Sequence, residues 1–249
     1  MTGLGTLINI AAILIGTTIG MIIKGGLQKR YEKIVMQSIG LCVIFIGVNG
    51  VITQMLVMEN GIFQTRYTLL VIISLVIGSL IGEKINIEAR LENFGECCKR
   101  KFKMKGDKGN DFVEGFVSSS LLFCVGAMAI VGSIEDGLKH EYATLIAKSF
   151  MDMVAGGVLA ASLGIGVYFS VIAVGIYQGS ITLLAGFVSP YLNNTIISQI
   201  SCVGSVLIFA LGINLILGKK IAIGNMLPAV FMPAIIYYMK FLLHALFHF

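Results

Sequence analysis

The stretch ATLIAKSFMDMVAGGVLAASLG, residues 143–164, decides how the rest of the chain is interpreted. It is long and apolar enough to cross a bilayer, yet it contains Lys148 and Asp152. Because a charge near the bilayer centre costs at least about 2.5 kcal/mol, both side chains are expected to face protein or a water-filled cavity. Their spacing of four residues places them on one helical face, where they can pair.

The composition of the whole chain agrees with this interpretation. Of its 249 residues, 57% are hydrophobic and only 12% are charged, whereas soluble domains carry about 25% charged residues. We therefore predict one integral membrane domain over residues 1–249. The formal charge of +5 does not indicate nucleic-acid binding, because the basic residues lie between apolar segments.

Runs of about 20 apolar residues have the length of a membrane span. They predict an all-α, polytopic transmembrane helix bundle with about eight spans. The predicted spans cover residues 4–23, 34–57, 67–83, 112–133, 143–164, 166–188, 195–217 and 223–245.

The largest polar segment, residues 84–111, carries eight basic residues. We predict that it is a basic cytoplasmic loop. Its first part has apolar residues at helical spacing, which predicts a short helix on the membrane surface.

The distribution of Lys and Arg predicts the orientation. Four basic residues lie between spans 1 and 2, eight between spans 3 and 4, and two between spans 7 and 8. Arg66 and Lys139 are the main basic residues of the opposite side. We therefore expect a multi-pass protein of a bacterial cytoplasmic membrane with both termini outside.

Similar short runs in distant spans suggest an internal repeat. FIGVNGVI (45–52) in span 2 resembles ALGINLIL (210–217) in span 7, and span 6 repeats the glycine spacing of span 1. One interpretation is chance similarity between apolar helices. The other is an inverted repeat of spans 1–3 and 6–8, a plan that secondary transporters use around a site near the midplane.

Asp152 is the first candidate for a binding residue. It lies about 13 Å into span 5 at 1.5 Å per residue, which is near the midplane. The functional interpretation is a proton or cation site, or a ligand for a substrate amine, with Lys148 as its partner. The structural interpretation is an ion pair that only joins helices.

Uncharged polar residues provide further candidates. Asn49 and Asn214 occupy matching G-x-N positions of spans 2 and 7, and an amide must find partners inside a membrane. They are either ligands from two repeats or contacts between helices. Ser119 and Ser120 in span 4 either bond their own backbone or line a cavity. Gln178 in span 6 has the same two interpretations.

Glycine and proline mark candidate breaks in the spans. Gly126 in span 4, and Pro228 and Pro233 in span 8, are candidate hinges of broken helices, whose carbonyl groups can bind a cation; simple kinks are the alternative. The G-x-x-x-G runs at 16–20, 78–82 and 175–179 indicate close helix packing, within the chain or in a homo-oligomer.

Motifs for enzyme chemistry are absent from the sequence. It contains no P-loop, HExxH or CxxC motif and no nucleophile with a neighbouring base, and its histidines do not cluster. We therefore expect neither an enzyme nor a metal site, and no cofactor.

Several runs are distinctive enough to indicate a family. They are GTLINIAAILIGTTIG (5–20), FVEGFVSSSLLFCVGAMAIVGSIEDGL (112–138), KSFMD (148–152), IYQGSITLLA (176–185) and ALGINLILGKKIAIGNMLPA (210–229). With these runs the chain resembles the uncharacterised bacterial YdfK/YqgA-type family of polytopic membrane proteins, domain of unknown function 554. The resemblance covers nearly the whole chain. It implies an inner-membrane protein and supplies no substrate or functional residue.

The leading hypothesis is a small secondary transporter or ion-coupled permease for an unknown solute or ion. Its site would lie between spans 2, 4, 5 and 7, with Asp152 as the coupling or ligand group. The alternatives are a membrane scaffold or regulator that acts through its basic loop, and a passive channel. The lipid bilayer is the one partner that every alternative requires.

Overall fold

The structure confirms an all-α fold. The computed structural model of the chain describes residues 1–24, 29–59, 61–90, 93, 109–124, 127–218 and 221–246. Its helices are α1 (Leu4–Lys24), α2 (Lys29–Met55), α3 (Thr68–Ile85), α4 (Gly109–Cys124), α5 (Ala127–Lys139), α6 (Ala143–Leu163), α7 (Gly166–Leu183), α8 (Ala185–Val188), α9 (Asn194–Leu217), α10 (Ile223–Met226) and α11 (Met232–Leu246). Two 3-10 turns lie at Ser189–Tyr191 and Leu227–Val230, and residues 87–90 are also helical.

Five helices of the described ranges are long and apolar enough to cross a membrane: α1, α3, α6, α7 and α9. The pair α4 and α5 adds a sixth span if the two helices, which meet at 61°, cross together. The apolar part of α2 is only 40–55, and predicted span 8 is divided into α10, a 3-10 turn and α11. The membrane helix bundle is thus confirmed, while the number of eight spans stays a prediction.

The outer surface of the bundle is apolar, as a bilayer requires. On α6, Phe150 and Met151 are 64% and 62% exposed, whereas Lys148 and Asp152 are 6% and 5% exposed. The helix therefore turns its charges inward and its large apolar side chains outward. A water-soluble protein rarely exposes so much apolar surface.

Glycines allow α1 and α6 to pack along each other. A methyl group on Gly16 would lie 1.9 Å from the carbonyl oxygen of Met153, and one on Gly20 would lie 2.0 Å from that of Gly157. These separations leave no room for a Cβ atom, so the two backbones are in direct contact. The first G-x-x-x-G run is thus used within the chain.

The predicted counterparts of the repeat also contact each other. Helix α1 packs on α7, α2 packs along α9, and α3 packs on residues 223–230. Gly47 faces Phe209 and Gly40 faces Gly212, so α2 and α9 run antiparallel, as an inverted repeat requires. This arrangement is compatible with the repeat hypothesis, which stays a prediction.

Three local features differ from a simple series of spans. The loop after span 2 is a β-hairpin, with β1 (Leu56–Glu59) paired to β2 (Ile62–Thr65). The Asn-Gly dipeptide at 60–61 favours such a two-residue turn, although the hairpin was not predicted from the sequence. Predicted spans 4 and 8 are each divided into separate helices.

Replacing Gly16 by Ala should destabilise the fold by about 1–3 kcal/mol, because the new methyl group forces α1 and α6 apart. Gly179 is the matched control, since nothing lies within 4 Å of a methyl group placed there. Gly179→Ala should be neutral, or stabilising by up to about 1 kcal/mol through helix propensity. Thermal unfolding of the purified variants in detergent measures both effects. Equal unfolding midpoints would contradict the close packing.

Candidate functional site

The two charges of α6 meet two amides inside the bundle. Asp152 Oδ2 accepts hydrogen bonds from the ammonium group of Lys148 and from Asn9 Nδ2, the latter at 3.0 Å. Asn9 Nδ2 also lies 3.2 Å from Gln178 Oε1. Asn9, Lys148, Asp152 and Gln178, here called the buried polar cluster, come from α1, α6 and α7.

The amides of the buried polar cluster are not fully satisfied. Asn9 and Gln178 are both completely buried. Asn9 Oδ1 and Gln178 Nε2 have no hydrogen-bond partner among the described residues. Leaving such a group unpaired costs about 1–3 kcal/mol. The cluster therefore offers one acceptor and one donor to a further polar group.

The packing of the helices explains why these residues meet. Helices α1 and α6 run in parallel, with Gly5 beside Leu145 and Gly20 beside Gly157. This register brings Asn9 level with Lys148. Gln178 lies on the buried face of α7, one helical turn after Val174. Backbone contact between α1 and α6 is thus what puts Asn9 within reach of Asp152.

Asn9 was not among the residues predicted from the sequence. Its signal was present, because it is an amide within the apolar run of span 1 and an amide in a membrane must find partners. The choice of Asn49 and Asn214 depended on their matching positions instead. A rule that collects every amide within a predicted span would have found Asn9 beside Gln178.

Buried hydroxyl groups lie one helical turn from the two amides. Thr6 precedes Asn9 on α1 and Thr182 follows Gln178 on α7; both hydroxyls are buried and have no partner among the described residues. Ser149 differs, since its hydroxyl donates to the carbonyl oxygen of Leu145 at 2.6 Å. The surroundings of the cluster are therefore polar toward the end of the bundle that holds the N-terminus.

That end of the bundle is fixed by a second buried carboxylate. Asp136 at the end of α5 is completely buried, and its two oxygens accept from Gly3 N at 2.9 Å and Gly5 N at 3.0 Å. The side chain thus caps the start of α1, where backbone N–H groups lack partners within the helix. Asp136 holds α1, and with it Asn9, in place.

The two serines of span 4 have different surroundings. Ser119 Oγ donates to the carbonyl oxygen of Gly115 at 2.6 Å, which is the backbone bonding that was one of its two interpretations. Ser120 Oγ has no partner among the described residues, and Ser120 lines a cavity of about 240 Å³.

Two cavities lie along α4. The first, of about 310 Å³, is lined by Glu88, Val113, Glu114, Val117, Ser118, Leu211, Asn214, Ile221, Ile223 and Gly224. The second, of about 240 Å³, is lined by Phe116, Val117, Ser120, Leu121, Cys124, Ala173, Tyr177, Leu227, Val230 and Phe231. Val117 belongs to both linings, so the two cavities are neighbours.

Asn49 and Asn214 do not join the buried polar cluster. Asn49 is exposed on α2. Asn214 near the end of α9 donates from Nδ2 to Ile221 O at 2.8 Å and accepts from Ile221 N at 2.9 Å. Its amide thus joins α9 to Ile221, and Asn214 also lines the first cavity. The structure assigns the two matching asparagines to different surroundings.

The candidate hinge residues lie at or near the divisions of spans 4 and 8. Gly126 lies outside the described residues, between α4 and α5, which meet at 61°. Pro228 lies in the 3-10 turn between α10 and α11, and Pro233 is the second residue of α11. Proline at the start of a helix is well tolerated, because an N–H group there has no partner within the helix.

The chemistry available at the buried polar cluster is charge recognition. Within the residues that the structure describes, no group of three or more His, Cys, Asp or Glu side chains could hold a metal ion. A carboxylate, an ammonium group and two amides in a buried site can instead bind a cation or exchange protons. Buried ionisable residues inside a membrane most often serve such roles.

The fold and the site define a helical integral membrane protein with a buried ionic cluster. The chain belongs to the family described as "Protein of unknown function (DUF554)", whose model matches residues 4–238. The "Uncharacterized membrane protein YdfK" of Bacillus subtilis (strain 168) is 33% identical over 241 residues, 97% of each chain. The "Uncharacterized protein YqgA" of Escherichia coli (strain K12) is 27% identical over 228 residues, 91% of this chain and 92% of the relative. No solved structure matches the chain.

Replacing Lys148 by Ala should destabilise the protein by about 3–5 kcal/mol, because it leaves Asp152 buried without its counter-charge. The loss of unfolding free energy in the double variant Lys148→Ala/Asp152→Ala should be smaller than the sum of the losses in the two single variants. Unfolding of all three variants in detergent gives this coupling energy. Strictly additive losses would contradict a direct ion pair.

Replacing Asn214 by Ala should cost about 1–3 kcal/mol, since both backbone groups of Ile221 lose their partner. Asn49→Ala is the matched control and should change stability by less than about 0.5 kcal/mol, because the side chain is exposed. The same unfolding measurement compares the two variants. If Asn49→Ala were the more harmful of the two, their assigned surroundings would be incorrect.

Proposed function

We propose that this protein is a small secondary transporter or ion-coupled permease in which Asp152 is the coupling or ligand group. The observation that carries the proposal is the buried polar cluster, a carboxylate with an ammonium group and two incompletely bonded amides inside a membrane bundle. A purely structural pair would need no unpaired amide groups beside it, because each of them lowers stability.

Two features of the bundle support transport over a static role. The cluster joins three helices, so a change of charge at Asp152 acts on α1, α6 and α7 together. Helices α4 and α5, which pack on α7 and α6, meet at an angle of 61°. Divided helices near a central site are common in secondary transporters, where they change the access to the site.

We propose the bacterial cytoplasmic membrane as the location, with both termini outside, on the strength of the Lys and Arg distribution. Contacts at one end of the bundle support an even number of crossings. Met1 N donates to the Tyr142 hydroxyl at 2.9 Å, and a methyl group on Gly137 would meet the Thr182 carbonyl oxygen. At the same end, the hydroxyl group of Tyr238 donates to Tyr191 O.

Replacing Asp152 by Asn should abolish coupled flux, since the amide cannot take up a proton or balance a cation. Purified protein in liposomes loaded with a pH-sensitive dye is given an inward gradient of sodium or potassium chloride. Wild-type protein should change the internal pH with at least one of these ions. Asp152→Asn should lower that rate by about tenfold or more, which is a loss of about 1.4 kcal/mol in barrier stabilisation.

The control for this experiment is Glu135→Gln. Glu135 is a carboxylate that accepts from the Thr144 hydroxyl at 2.6 Å near the end of the bundle, outside the cluster. This variant should keep the wild-type rate. If Asp152→Asn fails to fold, Gln178→Leu tests the same cluster without changing its charge. Unchanged flux in folded Asp152→Asn would refute the proposal, as would the absence of ion-dependent flux in wild-type protein.

A further inference from the structure

We infer that the coupling ion is the proton, and that it reaches Asp152 from the end of the bundle that holds the N-terminus. Its path is a file of water molecules bound by three buried hydroxyl groups, those of Thr6, Ser133 and Thr182, here called the hydroxyl path. This inference rests on the proposed function and names its coupling ion. It is carried by buried polar atoms without partners, by their positions on the helices, and by an apolar layer on the other side of Asp152.

The three hydroxyl groups of the path need a partner that protein atoms do not supply. They belong to α1, α5 and α7, and none has a hydrogen-bond partner among the described residues. Thr6, Ser133 and Thr182 are 5%, 0% and 2% exposed. Leaving a buried hydroxyl group unpaired is costly, and ordered water is the partner that folded proteins use for such groups. Each of the three hydroxyls is therefore a site for a bound water molecule.

The end of α5 places Thr6 and Thr182 at the same level of the bundle. The carboxylate of Asp136 accepts a hydrogen bond from Gly5 N, and Gly5 directly precedes Thr6 on α1. A methyl group on the next residue of α5, Gly137, would lie 2.3 Å from the carbonyl oxygen of Thr182 on α7. Because consecutive residues of α5 contact both positions, the two threonines lie on either side of this helix end.

Ser133 lies about one helical turn deeper, at the level of the amides. Helix α7 contacts the start of α4 with its first residue and the end of α5 with Thr182, so α4 and α5 run along α7 in the same direction. Ser133 precedes Gly137 by four residues, and Gln178 precedes Thr182 by four residues. The hydroxyl group of Ser133 is thus the step of the path that leads from the threonines to the buried polar cluster.

The spacing of these groups fits a file of single water molecules. Thr6 lies three residues from Asn9, and Thr182 lies four residues from Gln178, which is about 4.5 and 6 Å along each helix. A water molecule that bonds to two groups joins atoms that are about 5.6 Å apart. One water molecule per step therefore connects the threonines to the two amides. Asn9 Nδ2 itself donates to Asp152 at 3.0 Å, so the file ends at the carboxylate.

The amides of the cluster also favour water as the bound species. A carboxylate only accepts, so the atom of Asn9 that faces Asp152 is Nδ2, and the atom of Gln178 that faces Nδ2 is Oε1. The groups that remain without a partner among the described residues are an acceptor, Asn9 Oδ1, and a donor, Gln178 Nε2. A metal cation satisfies acceptors only. A water molecule accepts from Nε2 and donates to Oδ1, so it satisfies both.

The opposite side of Asp152 is closed by apolar side chains. One helical turn beyond the cluster, α1 carries Ile13 and α7 carries Val174, and both are completely buried. On α6 the corresponding residue is Gly156, where a methyl group would lie 3.6 Å from the ring of Phe123. Ile13, Val174 and Phe123, here called the apolar layer, have no side-chain group that bonds to water. Water therefore reaches Asp152 more readily along the hydroxyl path than across this layer.

The reaction at the end of the path is a proton transfer. Each water molecule of the file receives one proton and passes one on, and the last proton bonds to a carboxylate oxygen of Asp152. Asp152 becomes neutral, and the ammonium group of Lys148 loses its counter-charge. The other titratable group close to Asp152 is Cys124 on α4, while α1 and α7 present amides and Asp136 of α5 is bound to the start of α1.

The experiment follows the protonated carboxyl group of Asp152 by rapid-scan infrared spectroscopy of the full-length protein in liposomes. Acidification should produce a carbonyl stretching band that is absent from Asp152→Asn; if that variant fails to fold, Asp152→Glu should move the band and assign it. The band shifts when its proton is exchanged in heavy water. Thr6→Val, Ser133→Ala and Thr182→Val should each slow this exchange by about tenfold, the factor for one lost hydrogen bond of about 1.4 kcal/mol.

Thr17→Val is the matched control for these variants. Thr17 is also completely buried on α1 without a partner among the described residues, but it lies one helical turn beyond Ile13 of the apolar layer. Its replacement should leave the exchange rate unchanged. Thr182→Ser keeps a hydroxyl group and should retain most of the wild-type rate, which separates the effect of the hydroxyl group from that of side-chain shape.

The outcomes separate this inference from the proposed function. Equal exchange rates in the wild type, Ser133→Ala and Thr182→Val would show that the hydroxyl path is wrong, even where coupled flux is observed. The absence of an Asp152 band at every pH at which the protein is folded would show that the proton is not the coupling ion. Slower exchange in the hydroxyl variants, without coupled flux in the wild type, would support the path and refute transport.

Discussion

The buried pair of Lys148 and Asp152 is the interaction on which the interior of this bundle depends. The two charges on α6 must be shielded from lipid. The neighbouring helices shield them by packing closely around them and by supplying amide groups as hydrogen-bond partners. Removing charges from water costs several kcal/mol for each ion, which pairing and hydrogen bonds only partly repay. The pair therefore contributes little net stability to the fold, and this is the reason to assign it a role in function.

The glycine contacts between α1 and α6 make the site possible. Backbone contact at Gly16 and Gly20 brings α1 so close that Asn9, a short side chain, reaches Asp152. Asp136 fixes the start of the same helix from α5. The polar groups of the site thus come from α1, α6 and α7, and none of them can be moved without moving a helix.

The sequence predicted more of the fold than of the site. Hydropathy and the length of the apolar runs identified the membrane bundle, because a bilayer imposes these properties on every span. The sequence also predicted that Lys148 and Asp152 lie on one face of one helix, because their spacing of four residues is sufficient for this conclusion. The hairpin of β1 and β2 was not predicted, although the Asn-Gly dipeptide in the sequence at 60–61 favours a two-residue turn. Matching positions in similar runs led to Asn49 and Asn214, but similarity of runs does not determine which face of a helix is buried.

The sequence by itself determined that the chain is a helical membrane protein and that span 5 carries a charge pair facing inward. Both conclusions follow from the free-energy penalty of exposing charges and unpaired backbone groups to lipid. This penalty applies to each segment of the chain separately, so it can be judged from the sequence. Only the tertiary structure decided that Asn9 and Gln178 complete the site and that cavities lie along α4. Those facts depend on the register and separation of helices far apart in sequence, which are set by backbone contacts at a few glycines.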